Sequence, residues 1–231
     1  MKMETKPIEI NIDDCFKHFD EIGLQLSDYQ LQQFKAYYQE LLRWNSRINL
    51  ISKNDENRIV ERHFLESCAL SFFDEFIGQR LVLDLGSGGG FPGVPLKILN
   101  PNLILILLDS KRKKVLFLKN LIEKLKLEQT GVLCLRAEDA GQMSEYQNRF
   151  DIVLARAVAE LSKLYEWAQP FLKPEGLLVA MKGSNWEAEL RALELKWPQL
   201  SVKVESLPIK TSKSASRQKI VFIRNGLLTK R

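Results

Sequence analysis

The chain has little from which to build a metal or disulfide site. Its 231 residues include three cysteines (Cys15, Cys68, Cys134) and two histidines (His18, His63). No Cys-x-x-Cys pair occurs. An odd, scattered cysteine count reads as reduced, mostly buried thiols, so a disulfide scaffold and a zinc site are set aside and no metal is expected. Long apolar runs are missing too. None reaches the ~20 residues that span a bilayer, and Met1 to Ile12 has no signal-peptide core. The expectation is a cytoplasmic protein that makes no use of a membrane. What is present is ordinary for a folded chain, with 45% hydrophobic and 27% charged residues, which argues against bulk disorder.

Charge is distributed unevenly. The net +5 is the sum of −4 over residues 1–80, +2 over 81–202 and +7 over 203–231. A basic tail serves solubility, but it equally suits a polyanionic partner approached from that side.

Ser27-x-x-Gln30 has the form of a capping box, and Leu31, Phe34, Tyr38, Leu41 and Leu42 then recur at helical spacing up to about Arg43. A second helix is predicted from Arg58 to Phe73. Trp44 to Leu50 lies between them and is too polar for core, so it is read as a loop. Residues 1–78 therefore form a helical N-terminal region, with Gly78 at the junction to a domain spanning 79–231. From Leu81 the pattern changes. Short apolar runs at Leu81–Leu85, Leu103–Leu108, Val132–Leu135, Ile152–Ala155 and Leu177–Met181 alternate with helical stretches such as Lys111–Lys126 and Ala159–Leu172. Continuously apolar strands separated by helices imply a parallel sheet covered on both faces. Val202–Leu207 and Lys219–Ile223 have no helix between them and predict an antiparallel terminal hairpin. The fold class is α/β, a mostly parallel seven-stranded Rossmann-like sheet.

Gly86-Ser87-Gly88-Gly89-Gly90 directly follows the first strand, where ligands bind in such sheets. Glycines there tolerate positive φ and let backbone approach a ligand. Gly88 to Gly93 also spells the dinucleotide pattern G-x-G-x-x-G, with Asp109 at the ribose spacing. Against a dinucleotide, Asp84 places a carboxylate just before the glycines. It would repel a pyrophosphate, but it suits an ammonium such as that of the methionine moiety of S-adenosylmethionine. No lysine follows at the spacing of a nucleoside-triphosphate loop. Asp109, ending the second strand, is suited to accept ribose hydroxyls or to cap the next helix. Arg136-Ala137-Glu138 after the third strand could read an adenine, or supply ordinary first-turn acids. An oxidoreductase using NAD and a non-catalytic RNA-binding assembly factor remain alternatives at this level.

Several segments together carry a resemblance. They are Asp84-Leu-Gly-Ser-Gly-Gly-Gly-Phe-Pro-Gly-Val-Pro-Leu96, Leu107-Leu-Asp-Ser-Lys-Arg-Lys-Lys114, Arg136-Ala-Glu138, Ala155-Arg-Ala-Val-Ala159 and Met181-Lys-Gly183. Trp44-Asn-x-x-Ile-Asn-Leu50 and Arg62-His-Phe-Leu-Glu-Ser67 join them, so nearly the whole chain resembles the RsmG (GidB) family. The longer basic run Lys111 to Lys114 is a mild departure. The resemblance implies a class I methyltransferase that uses S-adenosylmethionine and modifies guanine N7 in 16S ribosomal RNA, at guanosine-527, near the decoding centre. Another class I RNA methyltransferase is the runner-up. The partner implied is 16S rRNA or a 30S subunit precursor, approached as a monomer. By resemblance, Gly86, Phe91, Ala137, Glu138 and Arg156 would contact the cofactor, with Asp109 at the ribose; Asp84, Ser87 and Gly88 join them as part of the loop.

What the sequence lacks fits a ring nitrogen. Guanine N7 carries a lone pair and no proton, so it needs alignment rather than a base. After the fourth strand there is no Asn-Pro-Pro-Tyr or Asp-Pro-Pro-Tyr to orient an exocyclic amine. Cys134, read as a core residue inside a strand, is unsuited to covalent attack. Arg156 follows that strand and is the candidate for the methyl-transfer region, in an orienting role only; its bland alternative is an ion pair with Glu160 at helical spacing. Candidate RNA contacts are Arg47, Arg62, Lys182, Lys210, Lys213, Arg217 and Lys219. His63 is read as a base-stacking ring or, equally, as a capped or core histidine. Replacing Lys210, Lys213, Arg217 and Lys219 with alanine is expected to flatten the salt dependence of RNA binding by ~0.7–0.9 in log–log slope per lost phosphate contact. Filter binding across a salt series measures it, and an unchanged slope removes the tail from the interface.

Overall fold

The computed structural model describes residues 12–209 and 218–225. Lys210, Lys213 and Arg217 lie outside them.

Seven strands form one sheet in the order β3-β2-β1-β4-β5-β7-β6. They are β1 (Leu81–Leu85), β2 (Ile104–Leu108), β3 (Thr130–Leu133), β4 (Phe150–Arg156), β5 (Leu172–Lys182), β6 (Ser201–Ser206) and β7 (Lys219–Arg224). The first five pair in parallel; β7 runs antiparallel between β5 and β6. The expected α/β architecture and terminal hairpin are thus present. Strand pleating sends alternate side chains to opposite faces, and the core divides accordingly. Val82, Leu105, Leu107, Ile152, Leu154 and Phe222 belong to one cluster, and Leu83, Val153, Ala155, Leu178 and Ile223 to the other.

On the first face lie α1 (Ile12–Glu21), α2 (Asp28–Asn45), α4 (Gly93–Leu99) and α5 (Arg112–Leu125), following chain order through a short α3 (Glu66–Cys68). The second face carries α6 (Ala137–Gly141), α7 (Leu161–Ala168) and α8 (Trp186–Lys196). The capping box forms as read. The Ser27 hydroxyl accepts the Gln30 N–H at 3.3 Å, and the Gln30 side chain accepts the Ser27 N–H at 3.0 Å. Gln30 also donates to the carbonyls of Ile98 and Leu99, and Gln33 to that of Leu125. Two polar side chains of α2 thus satisfy carbonyls at the ends of α4 and α5, groups that a helix leaves without partners.

Three expectations are corrected. The stretch after Trp44 is not a polar surface loop throughout. Asn45 ends α2 and is buried, its Oδ1 accepting the N–H groups of Leu50 and Ile51 at 2.9 and 3.0 Å. One amide closes the turn, so Leu50 and Ile51 reach the core. The helix predicted over 58–73 is instead a mosaic: a π-helix over Ile59–Leu65, α3, and a 3-10 turn over Ala69–Phe72. Cys134 lies one residue past β3, on the edge of the sheet, and is exposed rather than core.

A hydrogen bond ties the helical region to the glycine loop. Fully buried Tyr37 of α2 donates its hydroxyl to the carbonyl of Gly89. Tyr37→Phe leaves that buried carbonyl without a partner and is expected to lower stability by about 1–3 kcal/mol. Urea unfolding with an unchanged m-value would show it.

Candidate active site

The turn between β1 and α4 is built from backbone bonds and two carboxylates. The N–H groups of Gly86 and Ser87 both donate to the Leu108 carbonyl, at 2.8 and 3.0 Å, holding the start of the loop against the end of β2. Gly86 has φ +73°, and a Cβ there would come within 2.7 Å of Val158. Only glycine meets both demands. Ser87 turns inward, its hydroxyl donating to the Asp84 carbonyl at 2.7 Å.

Asp109 joins the loop to the next helix. Its Oδ2 accepts the Gly88 N–H at 3.0 Å and its Oδ1 the Lys111 N–H at 2.8 Å. A carboxylate offers about four acceptor positions, so two remain open. Capping and hydroxyl binding therefore coexist in one residue. Asp109, Leu85, Gly86, Arg136, Ala137, Glu138, Ala157 and Val158 line a cavity of about 350 Å³ at the carboxyl ends of β1, β2 and β4. Lys111, Lys114 and Trp167 also line it, and the buried Trp167 indole N–H has no partner. Trp167 went unread in the sequence because α7 spaces it like an ordinary core aromatic.

Other expected loop residues stand behind the cavity. Asp84 is fully buried. Its Oδ2 accepts the Gly93 N–H at 2.8 Å, while its Oδ1 is buried without a partner. A Cβ at residue 93 would lie 2.6 Å from that carboxylate, which explains the glycine after Phe91-Pro92. Burial pushes the Asp84 carboxyl up to about 7; the Gly93 N–H opposes this and Asp109 adds to it. The Phe91 ring stacks on Tyr37 and on His63, with centroids 5.4 and 4.8 Å apart.

Arg156 ends β4 and is buried, with its guanidinium turned toward the N-terminal region. Its Nη2 donates to Glu66 Oε2 and to the Arg62 carbonyl, both at 2.7 Å. The ion-pair partner is therefore Glu66 rather than Glu160. Burial lowers the Arg156 pKa and raises that of Glu66; each partner opposes the effect on the other, and the Gln218 amide also favours the Glu66 carboxylate. His63 is pushed down to about 3 by burial, with the charges of Arg156 and Arg62 adding to the effect.

The expected RNA contacts are scattered. Arg47 is exposed just beyond α2. Arg62 pairs with Asp55 at 2.7 Å. Lys182 is buried, donating to the Ala159 carbonyl at 2.7 Å and pairing with Glu189 at 2.5 Å. Lys219 donates to the Ser206 hydroxyl at 2.8 Å and sits over the Trp186 ring. Among the described residues no group of three or more histidines, cysteines or carboxylates is placed to hold a metal, and no helix is long and apolar enough to cross a membrane.

A seven-stranded sheet with this order, a glycine loop after β1 and an acidic residue ending β2 define a class I methyltransferase using S-adenosylmethionine. Solved structures share the fold. A SAM-dependent methyltransferase from Aquifex aeolicus superposes with a TM-score of 0.56 at 18% identity, covering 74% of this chain and 95% of that one. An O-methyltransferase from Bacillus cereus gives 0.58 at 15% identity, covering 90% and 95%. Sequence comparison is more specific. The family model for GidB, rRNA small subunit methyltransferase G, matches residues 30–221. The Ribosomal RNA small subunit methyltransferase G of Bacillus subtilis is 40% identical over 183 residues, 79% of this chain and 77% of its own. Its counterpart from Lactococcus lactis is 41% identical over 179 residues, covering 77% and 75%. The chain belongs to this family, whose members methylate ribosomal RNA of the small subunit using S-adenosylmethionine.

The raised Asp84 carboxyl makes a pH prediction. A carboxyl whose pKa is higher folded than unfolded favours the folded state most at low pH. That advantage is lost as pH rises from its ordinary value of 3.8 to about 7. Asp84→Asn should therefore gain stability relative to the parent between pH 4 and pH 8, by on the order of a few kcal/mol. Urea unfolding across that range tests this, and a constant difference would mean that the carboxyl does not carry this pH dependence.

Proposed function

We propose that this protein methylates N7 of a guanine in 16S ribosomal RNA, the family's guanosine-527, on the rRNA or a 30S precursor, as a cytoplasmic monomer. The helical region to residue 78 and the sheet domain from 79 work together in it. The observation that carries the acceptor assignment is the side chain at the carboxyl end of β4. It is Arg156, a buried cation locked to Glu66, and not a proton acceptor. Exocyclic amines must lose a proton on methylation; guanine N7 has none to lose.

For the cofactor, the residues present fit. Asp109 has two acceptor positions for a ribose diol, Gly86 and Val158 form the floor, and Ala137, Glu138 and Trp167 form a wall. Asp84, wholly buried behind the loop, fixes the backbone at Gly93 and does not line the cavity. When bound, S-adenosylmethionine supplies an electrophilic methyl and leaves as a neutral thioether, so positive charge passes to the acceptor ring. The chain's part is to hold the ring nitrogen in line, to exclude water and to meet that charge. Lys182, pinned by Glu189 and the Ala159 carbonyl, braces the segment after β4. Arg47 and Lys219, with Lys210, Lys213 and Arg217, supply phosphate contacts.

The test offers radiolabelled S-adenosylmethionine to 30S subunits and to naked 16S rRNA, then cleaves the product chemically at N7-methylguanosine and maps it by mass spectrometry. One labelled guanine near the decoding centre is expected; label on an amine, a carbon or a ribose overturns the proposal.

A further inference from the structure

Buried polar groups in folded proteins almost always find partners. Among the described residues, six of the twelve unpaired buried side-chain atoms gather in one place. Glu66 Oε1, Arg156 Nη1, Arg62 Nε, both ring nitrogens of His63 and Gln218 Oε1 are all buried without a hydrogen bond. These residues come from three separate parts of the chain. The π-helix and α3 contribute Arg62, His63 and Glu66; the end of β4 contributes Arg156; the residue before β7 contributes Gln218. A π-helical turn is rare and is frequently found at functional sites. The cluster adjoins the cavity described above, because Ala157 and Val158, the residues that follow Arg156, line it. Phe91, which follows the glycine loop, presents its ring to His63. Arg62, whose side chain is 38% exposed, marks where the cluster meets solvent.

The Glu66–Arg156 bond joins Oε2 to Nη2 at 2.7 Å. The Gln218 amide also favours the Glu66 carboxylate, while Glu66 Oε1 and Arg156 Nη1 are buried without a hydrogen-bond partner. A free acceptor beside a free donor complements the Watson–Crick edge of guanine, whose N1–H and N2–H donors stand next to the O6 acceptor. Adenine offers a single amine beside an unprotonated N1, and so cannot give a carboxylate two donors. Reading that edge also leaves N7 open, because N7 lies on the other edge of the base. This narrows the role of Arg156: it serves O6 and keeps clear of the N7 lone pair.

We propose that Glu66 and Arg156 form the guanine-reading site, with Glu66 accepting N1–H and N2–H and Arg156 donating to O6, and with Phe91 and His63 as the adjoining aromatic wall. This rests on the guanine-N7 reading above and adds to it. Methylation at N7 makes the ring cationic and its N1–H more acidic, so the bond to Glu66 strengthens as the methyl arrives. A carboxylate there then favours the transition state over the bound substrate. A purely structural ion pair tying the N-terminal region to β4 would stabilise the protein but would have no preference among purines.

The experiment uses full-length protein and 30S subunits rebuilt with 16S rRNA carrying guanosine or inosine at the mapped position. Inosine keeps N7, O6 and N1–H and lacks only the 2-amino group. Wild-type protein is expected to lose about tenfold or more in kcat/KM on inosine, because a buried acceptor is left short of one donor. Glu66→Gln should lower the rate on guanosine and bring the two substrates within about twofold, while S-adenosylhomocysteine affinity by calorimetry stays at the wild-type value and reports an intact fold. Equal wild-type rates on both bases overturn the proposal even if the variant fails to fold. So does an undiminished guanosine preference in a folded variant. Methyl found away from guanine N7 instead overturns the functional reading itself, and the same mass spectra separate the two failures.

Discussion

The site depends on a carboxylate buried where water cannot reach it. Asp84 sits at the end of a central strand and holds the Gly93 N–H, so the far end of the glycine loop is fixed to the sheet from beneath. Tyr37 holds the middle of the loop at Gly89, and Asp109 holds it at Gly88. With three points fixed, the backbone facing the cavity is rigid before any ligand arrives, which is the condition for alignment to contribute to rate. The cost is a carboxyl held up to about 7 with one oxygen unsatisfied.

The N-terminal helices gain a clear role from this arrangement. They cover one face of the sheet, and they also supply Tyr37 to the loop and Glu66 to Arg156. Through these contacts the helical region reaches both the loop that shapes the cavity and the arginine that ends β4.

Much of the fold was legible because its signals are local. Five apolar runs separated by helical stretches define a parallel sheet wherever they occur, and the missing helix between the last two runs marks the antiparallel hairpin. The Ser27 box and the Gly86 turn were equally readable, since each depends on residues within a few positions. Strand ends were less so: β5 extends back to Leu172 through Pro174, Glu175 and Gly176, where the apolar run that marks the strand begins only at Leu177. Cys134 misled because an apolar run continues past the point where an edge strand loses its neighbour.

The sequence by itself determined the sheet, the position of the loop and the acidic residue ending β2, because each follows from periodicity or from spacing along the chain; the family entered through the resemblance of its motifs. Only the tertiary structure decided what Arg156, Glu66, Lys182 and Asn45 touch. Arg156 and Glu66 are 90 positions apart, and Lys182 and Ala159 are 23 apart. The choice between a surface ion pair with Glu160 and a buried one with Glu66 is set by which helix packs on which face of the sheet. Packing also decided where polar atoms were left unpaired, since an unpaired atom is defined by every neighbour around it and no stretch of sequence contains them all.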